Sequence, residues 1–262
     1  MPRDLGDVLH YFFDESEAPR EPAPPHRRRE PPPREVELPL LAVPLGDQDV
    51  VRAAMVWNLA VEIARGGWNA SVVAPAGAET ETLWPEPGRG PLGAELVLTF
   101  AEDLGALTRS ARDVSATTAG SDPGVILVRV PPDWLSKASD APALFSWTLL
   151  LTSPDPDDLL ETYAVAKRLH EANPRGRIGV TIHGPRCVSE AREAFDRLDT
   201  AAQRHLGRGL VSYGLLIDDV HVYRSIVSRR PVGLTNPRAG ATKALQAVAD
   251  LLVGDAKEGS GA

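Results

Sequence analysis

From about Val36 to Leu252 the chain alternates short apolar runs with stretches of helical periodicity, and this confines it to few architectures. ELPLLAVPL (37–45), ASVVA (70–74), AELVLTF (94–100), GVILVRV (124–130), LFSWTLLLT (144–152), RIGVTIH (177–183) and LVSYGLLI (210–217) read as strands. They are apolar along most of their length, the mark of strands covered on both faces. Helical patterns fill the gaps at 50–65, 102–113, 155–172 and 189–206, with shorter ones at 220–228 and 239–252. Gly66-Gly67 stops the first helix, and Asp155-Pro156-Asp157 opens another with an early proline and an acidic first turn. Strands separated by helices imply right-handed βαβ units. The expected fold is α/β, a mostly parallel doubly wound sheet with helices on both faces.

The flanks differ from this domain, expected over residues 36–252. Leu5, Val8, Leu9, Phe12 and Phe13 fall on one face of a short helix within residues 1–18. Such a stripe is how docking peptides are built, so a protein partner is expected there. Residues 19–34 hold seven prolines and five arginines, so 19–35 is expected to be a disordered linker. The tail GDAKEGSGA places residues 253–262 in a second disordered segment. One cysteine, Cys187, rules out a disulfide framework or a Cys-rich metal site, and the histidines lack metal-ligand spacing. A net charge of −8 argues against nucleic acid as a partner. No run suffices to span a bilayer and no apolar signal core opens the chain, so a cytoplasmic location is expected.

The first strand-to-helix turn is where such a sheet would hold a nucleotide. It reads VPLGDQDVVRAAMVWNLA. A phosphate loop needs glycines for close backbone approach, a lysine for charge and a hydroxyl for magnesium. This turn has one glycine, Gly46, and sets Asp47 and Asp49 where phosphate would sit. Two carboxylates there repel a triphosphate. No lysine precedes Lys137.

The helix after this turn, ending ARGG and leading into ASVVA, is similar to that of the MinD/ParA family of deviant Walker P-loop ATPases. LFSWTLLLTSPDPDDLLETYAVAKRL and the segment from RIGVTIH to ALQAVADLL resemble its FlhG-like, flagellar-number-regulator branch almost element by element. The resemblance covers about residues 36–252 and implies a P-loop NTPase-like fold. Anchored on Asn58-Leu59-Ala60, it carries the family's loop SGKGGVGKT onto Leu45 to Ala53. The signature lysine then falls on Asp47, the glycines on Gln48, Asp49 and Val51, the Walker lysine on Arg52 and the magnesium threonine on Ala53. The acidic pair after the second strand falls on Ala74 and Ala76, and the third acidic position on Arg129. Positions near the base fall on His183, Ile217 and Asp219.

Joint loss of these groups leaves nothing to activate water or hold magnesium. The expectation is a degenerate Walker site with no catalytic residue, no metal and no cofactor. The function implied is that of a pseudo-ATPase scaffold or regulator in spatial organisation: cell division, chromosome, flagellar or polar placement. Any homodimer is expected to form independently of nucleotide. The closing helix lacks a basic amphipathic face, so no direct membrane contact is expected. The alternative is a weak ATP-binding switch in which Arg52 takes the phosphates and Asp47 or Asp49 a magnesium ion.

Overall fold

The computed structural model describes residues 37–46, 49–77, 85–118 and 123–260. The docking stripe Leu5, Val8, Leu9, Phe12 and Phe13, the linker, and the loop residues Asp47 and Gln48 lie outside the described residues.

Strand β1 (Leu40–Pro44) leads into helix α1 (Val50–Arg65), then β2 (Asn69–Pro75), a two-residue β3 (Gly88–Arg89) and β4 (Glu95–Thr99). Helix α2 (Leu104–Thr118), β5 (Gly124–Val130), β6 (Trp147–Thr152), α3 (Pro156–Ala172), β7 (Arg177–His183), α4 (Val188–Leu206) and β8 (Val211–Leu216) continue the alternation. Helices α5 (Val220–Ser228), α6 (Val232–Thr235) and α7 (Gly240–Ser260) close it.

The strands form one sheet in the order β3-β4-β2-β5-β1-β6-β7-β8. All neighbours are parallel except β3, which runs antiparallel to β4. Two cores flank it, as continuous apolar strands require. Leu41, Val43, Leu127 and Leu149 face α1 and α7. Ala42, Ile126, Val128 and Leu150 face α2, α3 and α4. Helix α1 is buried without interruption from Ala53 to Ala64, so it serves as core rather than as an amphipathic cover. Its two buried polar side chains meet the chain beyond α5. Asn58 accepts the Val232 N–H at 2.8 Å, and Glu62 packs flush on Gly233, where an added Cβ would lie 1.8 Å from its Oε1.

Two expectations need correction. The apolar run at 144–152 is not all strand: Leu144–Ser146 is a 3₁₀ turn and the strand begins at Trp147. Residues 253–260, expected within a disordered tail over 253–262, are helical, because α7 runs on to Ser260. Their composition is that of a loop, but tertiary contacts override it. Ala256 is buried. Asp255 accepts from the Tyr213 hydroxyl and lies 2.9 Å from Arg177, and Lys257 Nζ sits 4.7 Å from the Trp68 ring centroid. Tyr213 also takes the Trp147 indole N–H at 2.8 Å and lies on Gly179, the one residue type that leaves room for its ring. No helix among the described residues is long and apolar enough to cross a membrane.

Candidate functional site

In an open parallel sheet a ligand crevice lies beyond the carboxyl ends of the strands, where successive connections leave for opposite faces. That point is between β1 and β6, since α1 packs on one face of the sheet and α3 on the other. Arg52, in the first turn of α1, bridges it. Its Nη2 bonds both carboxylate oxygens of Asp158, in the first turn of α3, at 2.6 and 2.5 Å. Its Nε donates to Nε2 of His183, the last residue of β7, at 2.9 Å. Its Nη1 lies 3.2 Å from Asp49.

Each partner is itself fixed. Asp49 caps α1 by accepting the Arg52 backbone N–H at 2.9 Å. Asp158 accepts the Ser153 N–H at 2.6 Å. Burial pushes the Asp158 carboxyl up, but the Ser153 N–H and the Arg52 guanidinium together bring it below the ordinary carboxylate range. Burial pushes the His183 imidazole down, and Arg52 adds to that against a smaller opposing pull from Asp158 and Asp49. The ring is therefore neutral at pH 7, and its acceptance at Nε2 assigns the proton to Nδ1. With only 23% of the Arg52 side chain and 17% of Asp158 exposed, the cluster is screened far less than a surface pair.

Phosphate cradles expose several backbone N–H groups to one point. In this connection the Asp49 N–H turns back to the Gly46 carbonyl at 3.1 Å, and the Arg52 N–H is spent on Asp49. Gly46 avoids the left-handed backbone that demands glycine, and a Cβ there would meet nothing within 4 Å. Ala53 is buried and has no hydroxyl. Ala74 is buried near the end of β2, with Ala76 just beyond it, and neither offers a carboxylate. Arg129 is 6% exposed in β5, in register with Val43 of β1, so a cation stands where the third acidic group was sought. At Ala53, Ala74 and Ala76, then, the hydroxyl and the carboxylates that the resemblance assigns to a magnesium nucleotide are missing. A cavity of about 420 Å³ opens on the α3 side of the cluster, where Leu45, Pro132, Leu151 and Val165 share its walls with Asp49, Arg52, Asp158, Glu161 and Arg168. A larger one, about 540 Å³, lies at the opposite end of the strands between Leu38, Trp147 and Arg177.

The structure thus brings Gly46, Asp49, Arg52 and His183 together and leaves other candidates apart. Ile217 packs against Gly240. Asp219 is consumed as a double cap, accepting the His221 N–H of α5 at 2.9 Å and the Ala241 N–H of α7 at 3.1 Å. Asp158 was missed, because acidic residues at a helix start have a sufficient local explanation. The available signal was their number: Asp155 alone caps α3, leaving Asp157 and Asp158 without need of that role.

No protein-family profile matches the chain. No curated protein matches it either. Solved structures do. MinD from Aquifex aeolicus, in a MinC:MinD cell division protein complex, superposes with a TM-score of 0.62 at 13% identity, covering 82% of this chain and 96% of that one. The domain has the MinD fold. The septum site-determining protein MinD from Pyrococcus horikoshii, complexed with Mg-ADP, gives 0.56 at 14% identity over 82% of this chain and 96% of its own. A ParA family ATPase from Chlorobium tepidum gives 0.54 at 12% over 82% and 99%. The mostly parallel α/β sheet expected from the strand–helix alternation is observed, and so is the P-loop NTPase-like fold that the resemblance implies.

Proposed function

We propose that this MinD-fold domain is a non-catalytic, pseudo-ATPase member of the MinD/ParA family, close to its FlhG-like branch. It works as a scaffold or regulator of spatial organisation in the cytoplasm, in cell division, chromosome, flagellar or polar placement. The observation that carries this reading is the fate of Arg52. At the position of the Walker lysine stands a cation whose charge is already taken by Asp158, Asp49 and His183. Asp158 is an anion supplied by the chain itself. A phosphate would have to displace it and then sit beside two carboxylates, which Coulomb repulsion opposes. With Arg52 engaged, and with no hydroxyl at Ala53 and no carboxylate at Ala74 or Ala76, the groups that the family resemblance assigns to phosphoryl transfer and Mg-ATP binding are missing.

Function then rests on protein contacts. The stripe Leu5, Val8, Leu9, Phe12 and Phe13 is the proposed partner-docking element, and the domain is the body it tethers. The direct test is turnover. Phosphate release from Mg-ATP by the full chain should equal a protein-free blank and be unchanged by Arg52→Ala. Turnover that the same substitution abolishes would mean that Arg52 leaves Asp158 for phosphate, and the proposal would fall.

A further inference from the structure

The chain has a net charge of −8, yet residues 220–249 hold Arg224, Arg229, Arg230, Arg238 and Lys243 and no carboxylate. They run through α5, α6 and the first turns of α7. All five cations are exposed, and among the described residues only Arg229 has an ion-pair partner, Glu86 at 2.9 Å. At the amino end of this segment Asp219 is consumed as a cap, and Asp218 accepts the Tyr223 hydroxyl. Large apolar side chains stand among the arginines. Val227, 86% exposed, and Leu234, 42% exposed, lie on either side of Arg229-Arg230. A surface both basic and apolar is matched by a segment both acidic and apolar. A phosphate backbone would meet the arginines and leave Val227 and Leu234 without a contact.

The chain itself holds such a segment. Residues 4–17 carry Asp4, Asp7, Asp14, Glu15 and Glu17, no lysine or arginine, and the apolar stripe Leu5, Val8, Leu9, Phe12 and Phe13. We propose that the basic surface of α5 and α6 is the resting place of residues 4–17 of the same chain. The carboxylates meet the free arginines, whose planar forks suit them, and the stripe covers Val227 and Leu234.

The tether permits this. Residues 18–36 span up to about 55 Å when extended like polyproline, and a domain of this size is about 45 Å across. The chain also enters the domain beside α7, since Glu37 lines one cavity with Asp255 and Ala256. Helix α7 covers the same sheet face as α1, whose Asn58 accepts the Val232 N–H of α6. A tether this short gives an effective concentration of about 1 mM, so a contact with a Kd of about 100 µM would be closed about nine-tenths of the time. The docking stripe is thereby covered until a partner with a tighter hold takes it. The inference rests on the docking role proposed for the stripe, and not on the loss of ATP turnover.

The test is hydrogen–deuterium exchange of the full chain, read over residues 4–17 against a synthetic peptide of residues 1–18. Exchange in the chain should be about tenfold slower, the protection that nine-tenths closure gives, and the same at about 1 and about 50 µM protein. Val227→Glu, the pair Arg224→Glu and Arg230→Glu, and the pair Asp14→Lys and Glu15→Lys should each return it to the peptide's rate. Arg197→Glu, the same charge change on α4 across the sheet, should leave it slow. Exchange at the peptide's rate in the unaltered chain, or protection that survives Val227→Glu and the arginine pair, would overturn the proposal. So would protection that grows with concentration, which would assign the segment to a second copy. Protection lost equally to Arg197→Glu would overturn it too, by reducing the effect to net charge. An unprotected segment in a chain without ATP turnover would remove the latch and leave the proposed function standing. A protected segment in a chain that turns over ATP would do the reverse.

Discussion

Replacing Arg52 with alanine should destabilise this domain, whereas a residue kept only to hold phosphate would leave the apo fold unharmed. The substitution removes two contacts to Asp158 at 2.5 and 2.6 Å, one to His183 at 2.9 Å and one to Asp49 at 3.2 Å. Asp158 keeps the N–H and the hydroxyl of Ser153 and stays largely enclosed, with 17% of its side chain exposed. Exposed ion pairs contribute about 0–1 kcal/mol, and breaking a fully buried one costs about 3–5 kcal/mol. This cluster lies between those limits, so the loss should be about 2 kcal/mol. For a domain of this size that is a fall of about 4–8 °C in Tm. Arg52→Lys should recover only part of it, because an ammonium can reach Asp158 but lacks the fork that also meets His183. Asp158→Asn in the Arg52→Ala background should recover part as well, by removing the stranded charge. Urea titrations of the four corners of this cycle should give a coupling of about 1–2 kcal/mol. An Arg52→Ala melt no lower than wild type, or a coupling indistinguishable from zero, would refute the closed-cleft account.

Two further outcomes follow from the titrating groups. The folded His183 has its pKa below the unfolded value of about 6.5, so the unfolded chain binds more protons just under that pH and stability falls as pH drops from about 7 towards 5. His183→Gln keeps an acceptor for Arg52 without titrating and should flatten that slope in urea midpoints; equal slopes would count against the neutral-imidazole assignment. Glu62 has the opposite sign: burial raises its carboxyl, against smaller pulls from Arg65 and Gln246, and neither oxygen has a well-aligned hydrogen bond. Its penalty therefore appears as pH rises above about 4.5, so Glu62→Gln should gain about 1 kcal/mol over wild type at pH 7 and less at pH 5, and a loss at pH 7 would contradict this.

The fold was legible because its strands are buried on both faces. VILVRV and RIGVTI have no polar face to confuse their period, and β5, β7, α1 and α5 begin and end where turn and cap residues say they should. What escaped were elements held by distant partners. The last turns of α7 look like a loop until Asp255 meets Tyr213 and Arg177. The site was half legible for the same reason. That Ala53 offers no hydroxyl and Arg52 no lysine amine at the aligned positions is read from the sequence alone. That Arg52 is already neutralised is not, since Asp158 lies 106 positions away and has a ready local role at the start of α3.

In the proposed reading the chain's own carboxylate, Asp158, occupies the cation a nucleotide would need. Isothermal titration of Mg-ATP into the purified full-length protein, beside its Arg52→Ala variant, addresses it most directly. No saturable heat should appear for either protein up to about 1 mM ligand, which bounds binding weaker than about −4 kcal/mol. Saturable binding to the wild type that disappears in the variant would show that Arg52 serves phosphate after all.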